Sequence, residues 1–120
     1  MAAHNELGAW GEEQATEYLQ RKGFDIVERD WKSGRRDIDI IASKGGTLVF
    51  VEVKARRNRV FGEPEEAIGQ MKLHNLRVAI NHYVKLRNIS QEVRLDVVTI
   101  VGSPGMGEPE IIHIEDFPLY

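Results

Sequence analysis

The stretch RRDIDIIASKGGTLVFVEVKARR, residues 35–57, decides how the chain folds. Residues 36–42 and 47–55 are rich in β-branched and aromatic side chains, and "SKGG" (43–46) between them is a turn signal. The pair therefore predicts two strands joined by a tight connection. Yet Asp37, Asp39, Glu52 and Lys54 stand inside these apolar runs, although charge is costly to remove from water. Either they lie on a solvated surface or they do chemistry.

Strand alternation sorts them. Asp37, Asp39 and Ile41 fall on one face, with Ile38 and Ile40 on the other; Leu48, Phe50, Glu52 and Lys54 share a face opposite Val49, Val51 and Val53. Both faces are apolar near the turn, as in a sheet covered on both sides. A four-residue turn at 43–46 pairs Ala42 with Thr47, Asp39 with Phe50 and Asp37 with Glu52. All four charges then share one face, with the Asp39 to Glu52 diagonal at about 7 Å.

Outward from this hairpin, residues 6–22 have helical spacing and stop at Gly23, and 24–31 are strand-like. Pro64 suits the first turn of a long helix, followed by a strand at 93–101 and a short strand at 110–114. The predicted fold class is α/β, with a mixed central sheet flanked by helices in the order α-β-β-β-α-β(-β). The chain is one domain over 1–120, its core at about 6–101, which is an ordinary length for a single core. The N-terminus lacks the basic head and apolar centre of a secretory signal, and no run approaches the roughly 20 apolar residues of a membrane helix, so a cytoplasmic protein without a membrane partner is expected. With no cysteine, there are no disulfides or thiolate zinc sites, and any metal bound by carboxylates is a hard one.

Net charge is −3, but residues 29–59 hold nine Lys or Arg against four acids, a local +5 that leaves −8 elsewhere. A solvated charged face is the plain reading of such a run; phosphate contact is the functional one. On the first helix Glu12 borders the stripe of Gly8, Ala15 and Leu19, whereas Glu13 and Glu17 point away. On the second, Lys72 interrupts the stripe of Ile68, Leu76, Ala79 and Tyr83, where a lone lysine ordinarily snorkels to solvent. His74 and His82 lack metal-ligand spacing. Trp10 suits packing under a neighbouring loop, and Asp96 in "RLDVV" suits pairing with Arg94 or another basic residue.

An Asp, then Glu-x-Lys on the next strand, is the outline of the PD-(D/E)xK nuclease site: the acids hold a divalent ion and the lysine stabilises charge at the attacked phosphate. Alone, Glu-x-Lys is a common accident of alternating strands. The ordered set "GEEQATEYLQRKGFDIVERDW", "RRDIDIIA", "LVFVEVKAR", "FGEPEEAI", Lys72 and "RLDVV" resembles, over residues 8–101, the YraN family of uncharacterised bacterial proteins, which are themselves similar to archaeal Holliday-junction resolvases. The resemblance implies a restriction-endonuclease-like fold and a catalytic set of Glu12, Asp39, Glu52 and Lys54. Of these, Asp39, Glu52 and Glu12 would bind Mg²⁺ or Mn²⁺. Lys72 matches the basic residue of the long helix, and Asp37 would be an auxiliary ligand or a partner for Lys54 or Arg56. Arg36-Asp37 stands where Gly-Glu is usual, and Asn75 where an arginine is common.

The expected function is that of a metal-dependent endonuclease hydrolysing phosphodiester bonds in DNA, branched or otherwise structured DNA included. Arg35, Arg36, Arg56, Arg57 and Arg59 would contact phosphates. A homodimer is compatible with the resemblance. The competing readings are a non-catalytic nucleic-acid-binding module on the same fold and a structural protein whose charges form salt bridges.

Overall fold

The computed structural model describes residues 2–60 and 68–120. Helix α1 (Ala2–Arg21) leads into three strands, β1 (Asp25–Ser33), β2 (Arg36–Lys44) and β3 (Thr47–Arg56). Helix α2 (Gln70–Leu86) follows, then β4 (Val93–Val101) and β5 (Glu110–Phe117). The five strands form one sheet in chain order, antiparallel except between β3 and β4. That parallel pair requires a crossover, and α2 lies within it. No helix among the described residues is long and apolar enough to cross a membrane.

Each face of the sheet carries a helix. Ala15 and Leu19 of α1 pack with Ile40, Ala42, Val49, Val51, Val98 and Ile100, and all of these are buried. Leu76, Ala79, Ile80 and Tyr83 of α2 pack with Ile38, Ile41, Leu48, Phe50 and Leu95. Two-sided cover explains why β3 reads as an unbroken apolar run from Leu48 to Val51. At its close approach to β3, α1 presents Gly11: a Cβ there would lie 2.6 Å from that of Ala55. The missing side chain lets the helix backbone settle on the strand, and it fixes the neighbouring Glu12 over the same part of the sheet.

The β2–β3 register differs from the expected one. Thr47 pairs with Lys44, and Ala42 with Val49, so the loop is only Gly45-Gly46. Both glycines have positive φ, 58° and 84°, as a two-residue type I′ hairpin demands, and Ser43 and Lys44 remain in the strand. Phe50 therefore lies opposite Ile41 rather than Asp39. The slip is by an even number of residues, so β3 keeps its faces.

Alternation in β2 breaks at Asp39: Ile38 belongs to the α2-side core and Ile40 to the α1-side core, whereas regular pleating would put them together. The β1–β2 pairs Arg29↔Ile40 and Trp31↔Ile38 bracket Asp30 and Asp39, and Asp30 has φ 52°. A left-handed residue inside a strand is local irregularity that the residue pattern does not announce.

The long helix begins at Gln70. Gly69 is extended (φ −84°, ψ 176°) and is the N-cap, so Ile68 and Gly69 interrupt the helix expected from Pro64. Pro64, Gly62 and most of "FGEPEEAI" lie outside the described residues. The last strand runs to Phe117, longer than the expected 110–114, because its partners on β4 extend from Val101 to Leu95.

Candidate metal and phosphate site

Beyond Ile40↔Val51 the β2–β3 ladder has no further paired residues, and the two strands part. Asp39 stands at this fork. Its Oδ2 accepts the backbone N–H of Val53 at 2.8 Å, taking the place of a strand-to-strand bond. The carboxyl group is pushed up to about 8, first by burial and then by the charge of Glu52, with Asp37 and Glu12 adding to the effect against the Val53 bond.

Glu52 is buried at 2% exposure. Its Oε2 lies 3.2 Å from Lys54 Nζ and 3.4 Å from Lys72 Nζ, while Oε1 is buried and has no hydrogen-bond partner among the described residues. Lys72 is also 4.0 Å from Asp37 Oδ1, and Asp37 Oδ2 lies 3.3 Å from Lys32 Nζ. Lys72 thus reaches inward from α2 instead of snorkelling away. Asp37 takes Lys32 and Lys72 as partners, not the Lys54 or Arg56 considered above.

Glu12 enters from α1. Its Oε1 is 3.2 Å from Arg29 Nη2, and Arg29 also meets Glu13 at 3.3 Å. Burial raises the Glu12 pKa, and the nearby Asp30 raises it further against the opposing pull of Arg29. One carboxylate oxygen each from Glu12, Asp30 and Asp39 lie within 4.8 Å of one another. Glu12, Asp30, Asp37, Asp39, Lys54 and Arg56 all line one open cleft of about 680 Å³.

The arginines divide. Arg35, Arg56 and Arg57 are exposed, with Arg56 donating to the Ala55 carbonyl at 3.0 Å. Arg59 is ion-paired with Glu110, and its Nε lies 3.2 Å from Glu110 Oε1. Arg36 Nε donates to Asn75 Oδ1 at 3.1 Å, so the two positions that depart from the expected pattern, 36 and 75, touch each other and tie β2 to α2. Trp10 packs against the α1-side core near Gly102, under the loop after β4, as expected.

Asp96 is fully buried and pairs with Arg94 at 2.9 Å, as expected, but also with the His113 Nε2 at 2.7 Å and the Asp116 N–H at 3.0 Å. Burial would raise its pKa; the bonds from His113, Arg94 and Asp116 outweigh that and lower it. Tyr18 closes the set at 3.0 Å from the His113 Nδ1. This network lies outside the cleft and is structural. Asp30 and His113 were both missed by residue pattern. His113 sits in a plain alternating strand; Asp30 had one available signal, its place opposite Asp39 once β1 and β2 are aligned.

The fold and site thus define an α/β domain, with two helices and five strands among the described residues, whose acids and lysines gather where two central strands diverge. The chain belongs to the uncharacterised protein family UPF0102, whose family model matches residues 11–100. Relatives span its whole length. A UPF0102 protein of Bacteroides fragilis is 40% identical over 118 residues, covering 98% of each chain. One from Bacteroides thetaiotaomicron is 44% identical over 105 residues, covering 88% of this chain and 87% of the relative. One from Christiangramia forsetii is 39% identical over 120 residues, covering 100% and 99%.

Proposed function

We propose that the protein is a metal-dependent endonuclease that hydrolyses phosphodiester bonds in DNA, with Mg²⁺ or Mn²⁺ held by Asp39 and Glu52 and with Glu12 acting directly or through water. The observation that carries this reading is the Oε1 of Glu52, which has no partner among the described residues and is buried beside Asp39, whose ionisation the Glu52 charge disfavours. A buried polar atom without a partner costs roughly 1–3 kcal/mol, and a hard cation accepting both carboxylates would relieve that cost.

A bound divalent ion would polarise the phosphate and acidify a water molecule. Asp39, fixed by the Val53 N–H, and Glu52, fixed by two lysines, supply carboxylate oxygens in set positions. Lys54, in the cleft wall, carries positive charge to where negative charge grows on the attacked phosphate. Lys72 orients Glu52 from the α2 side. Exposed Arg35, Arg56 and Arg57 hold flanking phosphates in the ground state, and DNA enters across the open cleft.

A second reading, a non-catalytic nucleic-acid-binding module, draws on the same lysines: Lys54 and Lys72 already neutralise one oxygen of Glu52 without any ion. Incubation with linear, single-stranded and four-way-junction DNA, with Mg²⁺, with Mn²⁺ and with chelator, separates the two. Ion-dependent cleavage supports the nuclease; salt-dependent binding without cleavage supports the module.

A further inference from the structure

We propose that Thr99 is a positioning residue for Lys54: its buried hydroxyl accepts the Lys54 ammonium when a divalent ion engages Glu52 and draws that carboxylate away from the lysine. This rests on the nuclease reading above.

Thr99 is out of place in β4 as a packing residue. It is fully buried in the run Val97-Val98-Thr99-Ile100-Val101, and its Oγ1 has no hydrogen-bond partner among the described residues. Valine has the same branched shape and suits a strand equally well, with no hydroxyl to desolvate, so packing alone favours valine at this position. The fold gives the hydroxyl no use.

Its place in the sheet does. Strands β3 and β4 are parallel, and Thr99 is the register partner of Lys54. On β4, Val98 and Ile100 turn to the α1-side core and Leu95 to the α2-side core, so Thr99 faces α2. On β3, Leu48 and Phe50 face α2, and Glu52 and Lys54 follow them at a period of two. Thr99 thus stands beside Lys54 on the face that carries Glu52, one strand spacing of about 4.8 Å away. A long side chain reaches such a neighbour.

The lysine also has cause to move. Lys54 Nζ and Lys72 Nζ lie 3.2 Å and 3.4 Å from the same oxygen, Glu52 Oε2, two cations on one acceptor. A divalent ion on Glu52 repels both. Lys72 has a second acid, Asp37, at 4.0 Å, whereas the ion pair of Lys54 among the described residues is with Glu52. The Thr99 hydroxyl is then the acceptor beside it. An ammonium has three N–H donors, so one bond to Thr99 fixes its position and leaves two for the attacked phosphate and its water.

Thr99→Val and Thr99→Ser, made in the full chain, test this. Without ion, Thr99→Val should melt at the parent temperature or above it, because no bond is lost, and the Lys54 ¹³Cε signal, identified by its loss in Lys54→Ala, should keep its parent position. With saturating Mg²⁺, that signal should differ between Thr99→Val and the parent, and Thr99→Ser should restore it. Single-turnover cleavage by Thr99→Val should be slower by about 10-fold, with DNA affinity within about twofold of the parent and the rate recovered in Thr99→Ser. Thr99→Val that cleaves within about twofold of a cleaving parent overturns the role and leaves the nuclease reading intact. An ion-free melt lowered in Thr99→Val but not in Thr99→Ser makes the hydroxyl structural and also overturns it. A parent that cleaves no substrate ends the nuclease reading, and Mg²⁺-loaded Lys54 signals that coincide in parent and Thr99→Val then end this one as well.

Discussion

The Asp39 carboxylate accepts the backbone N–H of Val53 across the gap between β2 and β3, just past their last paired residues, Ile40 and Val51. One side chain thereby ends the ladder and holds the fork open. Asp39 also lines the cleft, and the charges of Glu52 from β3 and Glu12 from α1 both act on it.

Stability should depend on pH through Asp39. Its folded pKa, about 8, lies above the ordinary carboxylate value near 4, so the native state holds a proton that the unfolded chain has lost. This contribution is fully present below about pH 4 and disappears as pH rises through 8. Glu12 is raised too and acts in the same sense. Asp39→Asn should flatten the fall between pH 4 and 8 and stabilise the ion-free protein at pH 8 to 9 by ~1–3 kcal/mol. Urea unfolding across that range measures it; an unchanged slope contradicts the assignment.

The Asp96 network should behave in the opposite way. Its lowered pKa gives stability that is present above pH 4 and lost as the pH falls through the folded value. Asp96→Ala leaves Arg94 and the His113 ring without their buried acceptor, and a loss of ~3–5 kcal/mol is expected in urea unfolding at pH 7. A loss below about 1 kcal/mol would mean that the network is not holding β5 to β4.

Gly11 tests how α1 places Glu12. Gly11→Ala brings a methyl to within 2.6 Å of the Ala55 Cβ, so α1 must lift from β3, at a cost of ~1–3 kcal/mol. Mn²⁺ affinity should fall with it, because Glu12 moves with the helix. Adding Ala55→Gly should restore both. Failure of the double variant to recover affinity would show that the close approach does not position Glu12.

Much of this was legible in residues 35–57, and the reasons lie in period and turn chemistry. Two apolar strands with charge at one end mark a covered sheet, and Glu52 and Lys54 share a face because they are two apart. The exact register was not legible: "SKGG" allows a four-residue or a two-residue loop, and the positive φ of Gly45 and Gly46 decides for the shorter. Nor was the break at Asp39, which depends on a left-handed Asp30 in a different strand. The start of α2 at Gln70 was obscured because "EEAIGQM" has mostly helix-favouring composition, whereas Gly69 is extended and caps the helix. Lys72 looked like a snorkelling lysine because its partner, Glu52, is twenty residues away in sequence and meets it only through the crossover.

The exposed arginines should govern affinity and not rate. Neutralising Arg57 should weaken DNA binding across sequences and reduce the salt dependence by about one phosphate contact, with the cleavage rate of bound DNA unchanged. Filter binding over a range of salt concentrations, beside single-turnover cleavage, checks both halves; a slower bound-state rate would move Arg57 into the reacting site.

Lys54 separates cleavage from binding. Its ammonium lies 3.2 Å from Glu52 in the wall of the cleft, and in the proposed reaction it acts on charge that develops only in the transition state. The decisive measurement is the single-turnover cleavage rate of Lys54→Ala beside the parent chain, on saturating DNA with Mg²⁺ or Mn²⁺. The parent is expected to cleave, and Lys54→Ala to be slower by ~10²- to 10³-fold while retaining most of its DNA affinity. Equal rates, or a parent that cleaves none of the linear, single-stranded or four-way-junction substrates with either ion, would contradict it.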